Sequence, residues 1–173
     1  ANAMLASIID KGLAAVEEED IARLRKKWLE NGPRAGISRI QLTAAEQRFL
    51  ANHPVIKVSN EMDYAPFDFM VGGKPQGFSI DLLNLLARKI GIKLAYINGF
   101  TWNELVEKFK RHEIELLHSL VKTPERERFG LFSNDYQQMK NYYGTRIDSP
   151  EIKEIGELYG KTVAVGKGWS QEK

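Results

Sequence analysis

Strand-like and helix-like segments alternate through the middle of the chain, and this alternation constrains the fold more than any other feature. Short runs rich in β-branched residues predict strands, and segments with apolar residues every three or four positions predict helices. In chain order the segments are 55–59, 79–91, 93–97, 102–110 and 114–121. Strands separated by helices form parallel sheets with right-handed crossovers. The pattern therefore predicts an α/β fold with a mainly parallel sheet flanked by helices.

Capping residues set the limits of the predicted helices. Thr43 and Glu46 have the spacing of a capping box, so a helix should begin there and end before Pro54. Ser79 is expected to cap the helix that follows the first strand, and Gly91 to end it.

Turn residues and short apolar runs predict further β-structure. Residues 68–71 and 74–77 flank two glycines, which suggests a hairpin-like excursion between the first strand and its following helix. Two more strand candidates lie at 142–145 and 162–165. A polar stretch separates these candidates.

The first thirty residues have the periodicity of two helices. Apolar side chains recur at helical spacing before and after Glu17–Asp20, an acidic run suited to the start of a second helix. Residues 31–36 read Asn-Gly-Pro-Arg-Ala-Gly, which predicts a linker. Residues 1–3, before Met4, are expected to be the remnant of a cleaved tag.

Composition excludes several classes of function. The 173 residues carry a net charge of +2 that is spread along the chain, which argues against nucleic-acid binding. Without cysteine there is neither a disulfide nor thiolate chemistry. His53, His112 and His118 lack metal-ligand spacing, and no pair of carboxylates suggests acid-base catalysis. We therefore expect no metal, no cofactor and no catalytic residue.

Four motifs, taken in order, resemble the family 3 solute-binding proteins. They lie at 58–67, 77–83, 113–126 and 132–136. The resemblance covers about residues 42–170 and is strongest to Venus-flytrap sensor domains, which stand in tandem before membrane-bound histidine kinases. It implies a lobe like that of a periplasmic binding protein, with most of the second lobe missing.

The resemblance also implies a domain organisation. Residues 4–30 resemble the last two helices of a preceding flytrap domain, and 31–41 would be the linker. Residues 42–146 would form lobe 1, and 147–173 the hinge and the start of lobe 2. The N-terminal helices are expected to cover apolar surface on lobe 1, which would otherwise favour association and leaves dimer formation open.

The same resemblance implies a ligand site. Arg126 matches the position that binds a ligand carboxylate, and Glu61 one that holds an amino group. The matching residues are Glu61, Tyr64, Trp102, Ser119, Val121, Thr123 and Arg126. Tyr64 and Trp102 would be walls of the pocket, and Ser119, Val121 and Thr123 would offer hydroxyls or amides. Val121 has no hydroxyl where relatives often have one, which argues against a standard amino acid.

Each of these residues also has a structural interpretation. Arg126 could instead be a surface residue paired with Glu125 or Glu127, while Glu61 could be a solvated acid. The rings of Tyr64 and Trp102 could belong to the core.

The function implied is sensing of a small, carboxylate-bearing molecule by the periplasmic part of a membrane-anchored protein, most simply a sensor histidine kinase. Kinase or cyclase activity would then belong to the full-length protein and not to this segment. The alternative within the same fold is the substrate-binding component of an amino-acid ABC transporter. An enzyme, such as a dehydratase or a transglycosylase, is a third alternative, which the absence of an evident nucleophile disfavours.

Overall fold

In a computed structural model of the chain, residues 3–30, 40–139, 142 and 144–166 are described. The side chains of residues 29 and 30 are not part of this description. The chain forms two compact units, Ala1–Asn134 and Asp135–Lys173. Most of the predicted linker, residues 31–39, lies outside the described residues.

The first unit contains five α-helices and five strands among its described residues. The helices are α1 (Ala3–Ala14), α2 (Glu18–Arg25), α3 (Ala44–Asn52), α4 (Phe78–Ile90) and α5 (Trp102–Lys110). The strands are β1 (Val55–Ser59), β2 (Asp63–Tyr64), β3 (Asp68–Val71), β4 (Lys74–Gln76) and β5 (Lys93–Ile97). A π-helical turn, Lys26–Glu30, continues α2. No described helix is both long enough and apolar enough to cross a bilayer.

A parallel pair of strands connected by a helix is the centre of this unit. β1 and β5 pair in parallel along their full lengths, from Val55 opposite Lys93 to Ser59 opposite Ile97. α4 makes the crossover between them. The prediction of an α/β fold, with β1 and β5 at these residues and a helix on each side of β5, is confirmed.

The third predicted strand, 114–121, is too long. Leu116 forms a single parallel bridge with Val58, and Ser59 donates its amide hydrogen to the Leu116 carbonyl at 3.0 Å. The pairing then stops because the amide of His118 donates to the Ser59 hydroxyl and not to a strand carbonyl. Ser119 follows with a positive φ of 59°, which is incompatible with extended backbone.

The hairpin prediction is confirmed, since β3 and β4 pair antiparallel around Gly72 and Gly73. The prediction that Ser79 caps α4 is wrong. The helix begins at Phe78, with Gly77 as its N-cap. Backbone carbonyls replace a side-chain cap, because the amides of Phe78 and Ser79 donate to Pro66 and Phe67 at 2.9 and 3.0 Å.

Gly77 has a conformation that requires glycine. Its φ is +127°, and a Cβ atom would lie 2.2 Å from the carbonyl oxygen of Phe67. This close approach brings the hairpin against the start of α4.

The second unit contains one short 3₁₀ helix, Ile155–Leu158, among its described residues. The strand predicted at 162–165 is wrong, since these residues have no strand pairing there. Part of the other candidate, 142–145, lies outside the described residues, and the described part is not a strand. An extended segment becomes a strand only when a neighbour satisfies its backbone groups.

Both hydrogen bonds of the capping box at the start of α3 are present, one from each of Thr43 and Glu46 to the other. Glu46 also links α1 to this helix. Glu46 accepts hydrogen bonds from Thr43, from Ser7 at 3.0 Å and from Lys11 at 2.6 Å. The bond from Lys11 is the largest cause of the lowering of the pKa of Glu46 to about 2, followed by the backbone of Thr43.

α4 is buried between the sheet and the N-terminal helices. Leu5, Ile8 and Ile9 of α1 are at most 6% exposed. α1 approaches α4 closely at Gly12, where an added Cβ would lie 3.0 Å from Ile90 Cδ1. α4 is therefore apolar around most of its circumference, as expected of a helix covered on opposite sides.

A buried ion pair joins α2 to α4. Lys89 Nζ lies 3.7 Å from Asp20 Oδ2, and the two side chains are 0% and 1% exposed. Arg23 also binds the Asp20 carboxylate. Among the described residues, neither Lys89 Nζ nor Asp20 Oδ2 has a hydrogen-bond partner. Both charges are therefore out of water, and among the described residues the Lys89 ammonium depends on Asp20 for compensation, whereas Asp20 is also bound by Arg23.

Asp20→Asn should lower the free energy of unfolding by about 3–5 kcal/mol, because it leaves the Lys89 ammonium buried without an anion. Urea unfolding measures this change. The double variant Asp20→Leu/Lys89→Met should recover most of the loss, since it removes both charges.

Glu107→Gln is the control, because Glu107 and Lys110 form an exposed pair with side chains 54% and 40% accessible. It should change stability by less than about 0.5 kcal/mol. An Asp20→Asn variant as stable as this control would contradict the role of the buried pair.

Candidate functional site

The predicted site residues lie where β1, β5 and a third segment, the one that contains Leu116, reach their carboxyl ends. Glu61 follows β1 by two residues, and Trp102 begins α5 after β5. Ser119 and Arg126 follow the third segment, which runs parallel to β1. Parallel segments end at the same edge, where ligands of open α/β folds collect.

Arg126 is held against this edge by its own loop and by an aromatic ring. Its Nη1 donates to the Val121 carbonyl at 2.8 Å, and its Cζ lies 5.6 Å from the centre of the Trp102 ring. Burial lowers the pKa of the Arg126 guanidinium, whereas the carboxylates of Glu125 and Glu61 raise it. The half-buried cation has a fixed orientation over an aromatic face.

The two predicted wall residues have different surroundings. Trp102 is half-buried and contacts Arg126 as described above. The Tyr64 ring lies 5.6 Å from the ring of Phe67, which in turn packs edge-on against Phe78. The structure thus joins Trp102 to the cation and places Tyr64 beside core aromatics at the start of the hairpin.

The residues predicted as polar contacts build the loop around Arg126. Thr123 Oγ1 accepts a hydrogen bond from the Arg126 amide at 3.4 Å. Val121 contributes its carbonyl to the guanidinium, and the residue is 47% exposed. Ser119 Oγ lies 3.2 Å from Nδ1 of His118.

Glu61 is a half-buried carboxyl group among other acids. Burial, followed by the nearby carboxylates of Asp68 and Asp63, raises its pKa to about 7. The charge of Arg126 lowers the pKa of Glu61, so the two charged residues predicted to bind the ligand interact electrostatically. Glu61 therefore changes charge near neutral pH, where a solvated glutamate would already be ionised.

A buried polar network lies beneath this edge, and sequence reasoning missed it. Asp68 is 0% exposed and accepts hydrogen bonds from Asn60 Nδ2 at 2.6 Å and from the Glu61 amide at 3.0 Å. His118 Nε2 lies 3.4 Å from Asp68 Oδ2. Burial raises the pKa of Asp68, and His118 and the two hydrogen bonds lower it.

The sequence carries a weak signal for this network. His118 interrupts an apolar run that the pattern assigns to a buried strand, and a buried imidazole requires a polar partner. Asp68 stands at the first position of a hairpin strand, where aspartate is uncommon. The sequence alone does not pair the two, because fifty residues separate them.

A cavity of about 660 Å³ lies away from this edge, against α1, β1 and the end of α5. Its lining includes Leu5, Lys57, Phe109, Glu115 and Phe129. The Glu115 carboxylate there accepts the Lys57 amide hydrogen at 2.9 Å. None of the predicted site residues lines this cavity.

Comparison with known families gives a match over two thirds of the chain. The model for bacterial extracellular solute-binding proteins, family 3, matches residues 56–171. This range contains all but the first residue of β1, the whole of α4, β5 and α5, and every predicted site residue.

Individual relatives are similar over different shares of the chain. The virulence sensor protein BvgS of Bordetella bronchiseptica is 28% identical over 166 residues, which are 95% of this chain and 13% of that protein. The arginine-binding extracellular protein ArtP of Bacillus subtilis is 32% identical over 111 residues, 64% of this chain and 43% of that one. The chain thus spans less than half the length of either relative.

A solved structure also matches. The crystal structure of the Bordetella pertussis BvgS periplasmic domain is 30% identical with a TM-score of 0.49, over 51% of this chain and 17% of that one.

The protonation of Glu61 should make stability depend on pH. Its folded-state pKa of about 7 exceeds the ordinary 4.5, so the folded state binds this proton more tightly than the unfolded state. The stabilisation is complete below pH 4.5 and is lost as the pH rises through about 7. Urea unfolding between these limits should show a decline that is smaller in Glu61→Gln.

Glu113→Gln is the matched control. Bonds from Arg111 and then Lys108 lower the pKa of Glu113 to about 2, so its contribution is lost only as the pH falls below 4.5. This control should keep the decline of the wild type between pH 4.5 and 7. An equal decline in Glu61→Gln would contradict the raised pKa.

Proposed function

Because the chain belongs to the bacterial extracellular solute-binding proteins, family 3, we propose that residues 42–146 form one lobe of a domain that senses a small molecule outside the cytoplasm. The ligand binds at the carboxyl edge of β1 and β5. Residues 4–30 would be the end of a preceding domain, 31–41 a linker, and 147–173 the hinge and the start of the second lobe.

The observation that carries this proposal is the arrangement of Arg126 over Trp102 beside Glu61. A guanidinium offers a fork of donors that matches a carboxylate. The indole face beside it suits an apolar or cationic part of the same ligand. Glu61 would bind a second polar group of the ligand. The proposed ligand is therefore a small molecule with a carboxylate and a second, distinct end.

A sensor is favoured over a transporter component by the N-terminal helices. The match to the virulence sensor covers 95% of the chain, whereas the match to the arginine-binding protein covers 64%. Within the first unit, α1 and α2 are joined to α4 by buried apolar contacts and by the pair of Asp20 and Lys89. A preceding element packed on the lobe suits a receptor whose parts must move together.

The proposed mechanism is a shift between open and closed forms of a two-lobe domain. A ligand favours the closed form only if it binds that form more tightly than the open one. The segment would bind and not catalyse. In the proposed full-length protein, membrane-anchored and with this domain in the periplasm, a histidine kinase would read the change.

Arg126→Ala should weaken the binding of a carboxylate ligand by about 2–5 kcal/mol in the two-lobe domain, because it removes the charged partner of a buried group. Thermal shift against a panel of L-amino acids and small organic acids would identify the ligand. Calorimetry would then compare the variants.

Arg128→Ala is the matched control, since Arg128 lies in the same short helix and is exposed. It should leave affinity within about threefold, as expected for the loss of an exposed charge. Equal affinities of Arg126→Ala and the wild type would rule out the proposed role.

A further inference from the structure

The cavity against α1, β1 and the end of α5 is large enough to hold a small molecule. Its volume is about 660 Å³. Pockets for small ligands in proteins have volumes of about 300–1,000 Å³. Leu5 of α1 and Ile114 of the third segment line it and are 4% and 1% exposed, so they give the cavity an apolar base. A molecule bound there would contact α1 and the lobe at the same time.

Phe109 and Phe129 form an aromatic wall in the lining of this cavity. Their ring centres are 6.3 Å apart, and the rings pack edge to face at 66°. Lys110 Nζ lies 5.0 Å from the centre of the Phe129 ring and donates to Glu107 at 2.7 Å. The cation and the edge-on packing hold the Phe129 ring in place. The ring of a ligand could therefore pack on a preformed aromatic surface.

Lys57 adds a positive charge to the lining that the surrounding residues leave uncompensated. Its ammonium forms neither a hydrogen bond nor an ion pair within the described part of the chain. Glu115 is an acid of the same lining, but its carboxylate accepts the Lys57 amide hydrogen at 2.9 Å and does not pair with the ammonium. A carboxylate on the ligand would supply the missing counter-charge.

His112 lines the cavity from a position where glycine is the usual residue. It follows the C-cap of α5, Arg111, and has a φ of 61°. The amides of His112 and Glu113 donate to the carbonyls of Phe109 and Lys108, both at 2.9 Å, which is the Schellman pattern. A side chain at this φ costs stability that glycine would not cost, which favours a role for the imidazole.

The His112 ring is also available as a donor. It has no hydrogen-bond partner among the residues that the structure describes. A neutral imidazole has one N–H group, so His112 can donate to a carboxylate without being charged.

We propose that this cavity is a second ligand site, separate from the carboxyl edge of β1 and β5, and that it binds a small aromatic carboxylate. The carboxylate binds the Lys57 ammonium and the His112 ring, and the aromatic part of the ligand packs on the aromatic wall. Because the ligand also contacts Leu5, its binding stabilises the packing of α1 on the lobe. The site does not depend on Arg126 or on the ligand proposed for it.

Nuclear magnetic resonance titration of the 173-residue chain at pH 7 tests this site with three probes. Benzoate has the ring and the charge, benzyl alcohol has the ring without the charge, and acetate has the charge without the ring. Benzoate should bind with a dissociation constant of about 1–10 mM, as expected for so small a ligand. It should bind at least about fivefold more tightly than either other probe. The shifted amides should include those of Leu5, Ile114 and Glu115.

Lys57→Met removes the charge and keeps the length of the side chain. It should weaken benzoate binding by about fivefold and leave benzyl alcohol binding unchanged, because only benzoate uses the charge. Lys93→Met is the matched control, since Lys93 is exposed on the neighbouring strand and does not line the cavity. It should leave the affinity for benzoate within about 1.5-fold.

His112→Gly separates a ligand role from a structural one. Glycine suits the positive φ, so the midpoint of urea unfolding should not fall. Benzoate binding should nevertheless weaken by about threefold, because the imidazole donor is lost. A merely structural histidine would leave benzoate binding unchanged.

Benzoate that binds no more tightly than benzyl alcohol would overturn the proposal, as would equal benzoate affinities of Lys57→Met and Lys93→Met. Benzoate-induced shifts confined to the amides around Arg126 would also overturn it, while leaving the ligand site at the carboxyl edge intact. Full benzoate affinity in His112→Gly would contradict the role of the imidazole.

Discussion

The buried carboxylate of Asp68 is the constraint on which the rest of the site depends. A carboxylate away from water is unfavourable unless donors surround it. The donors come from the end of β1, through Asn60 and the Glu61 amide, and from the third segment, through His118. Asp68 itself stands on the hairpin. One buried group therefore joins three segments that are distant in sequence, and their junction is the floor of the proposed ligand site.

The opposite side of the unit is organised around α4. The close approach at Gly77 sets where this helix begins, and α1 and α2 cover the face that the sheet leaves open. The ion pair of Asp20 and Lys89 makes that covering specific, because a shifted α2 would leave the Lys89 ammonium buried without its counter-charge. Contacts of this kind suit a lobe whose small movements must reach a neighbouring element.

Local sequence signals were sufficient for the elements that depend on local interactions. The periodicity of α5, the capping box of Thr43 and Glu46, and the β-branched run of β1 predicted those elements at the residues where they occur. The third strand was predicted too long, because its end depends on the positive φ of Ser119 and on a hydrogen bond to Ser59. Neither is visible in an apolar run.

The site was predictable only in part, for a similar reason. The resemblance to a family supplied Arg126 and Trp102, and their contact follows from two segments ending at one edge. The raised pKa of Glu61 comes from burial and from acids on other segments, which no pattern within one segment contains. Asp68 and His118 escaped notice because their importance lies in their tertiary pairing.

Hydrogen exchange at the Glu61 amide tests most directly whether Asp68 holds the floor of the site together. Asp68→Asn keeps the size of the side chain but replaces one acceptor oxygen with a donor, so Asn60 and the Glu61 amide can no longer both be satisfied. The account predicts that exchange at the Glu61 and His118 amides accelerates by about tenfold or more. The Gly91 amide, bonded to Ala87 at 2.8 Å, should be unaffected. Unchanged protection of Glu61 in this variant would contradict the account.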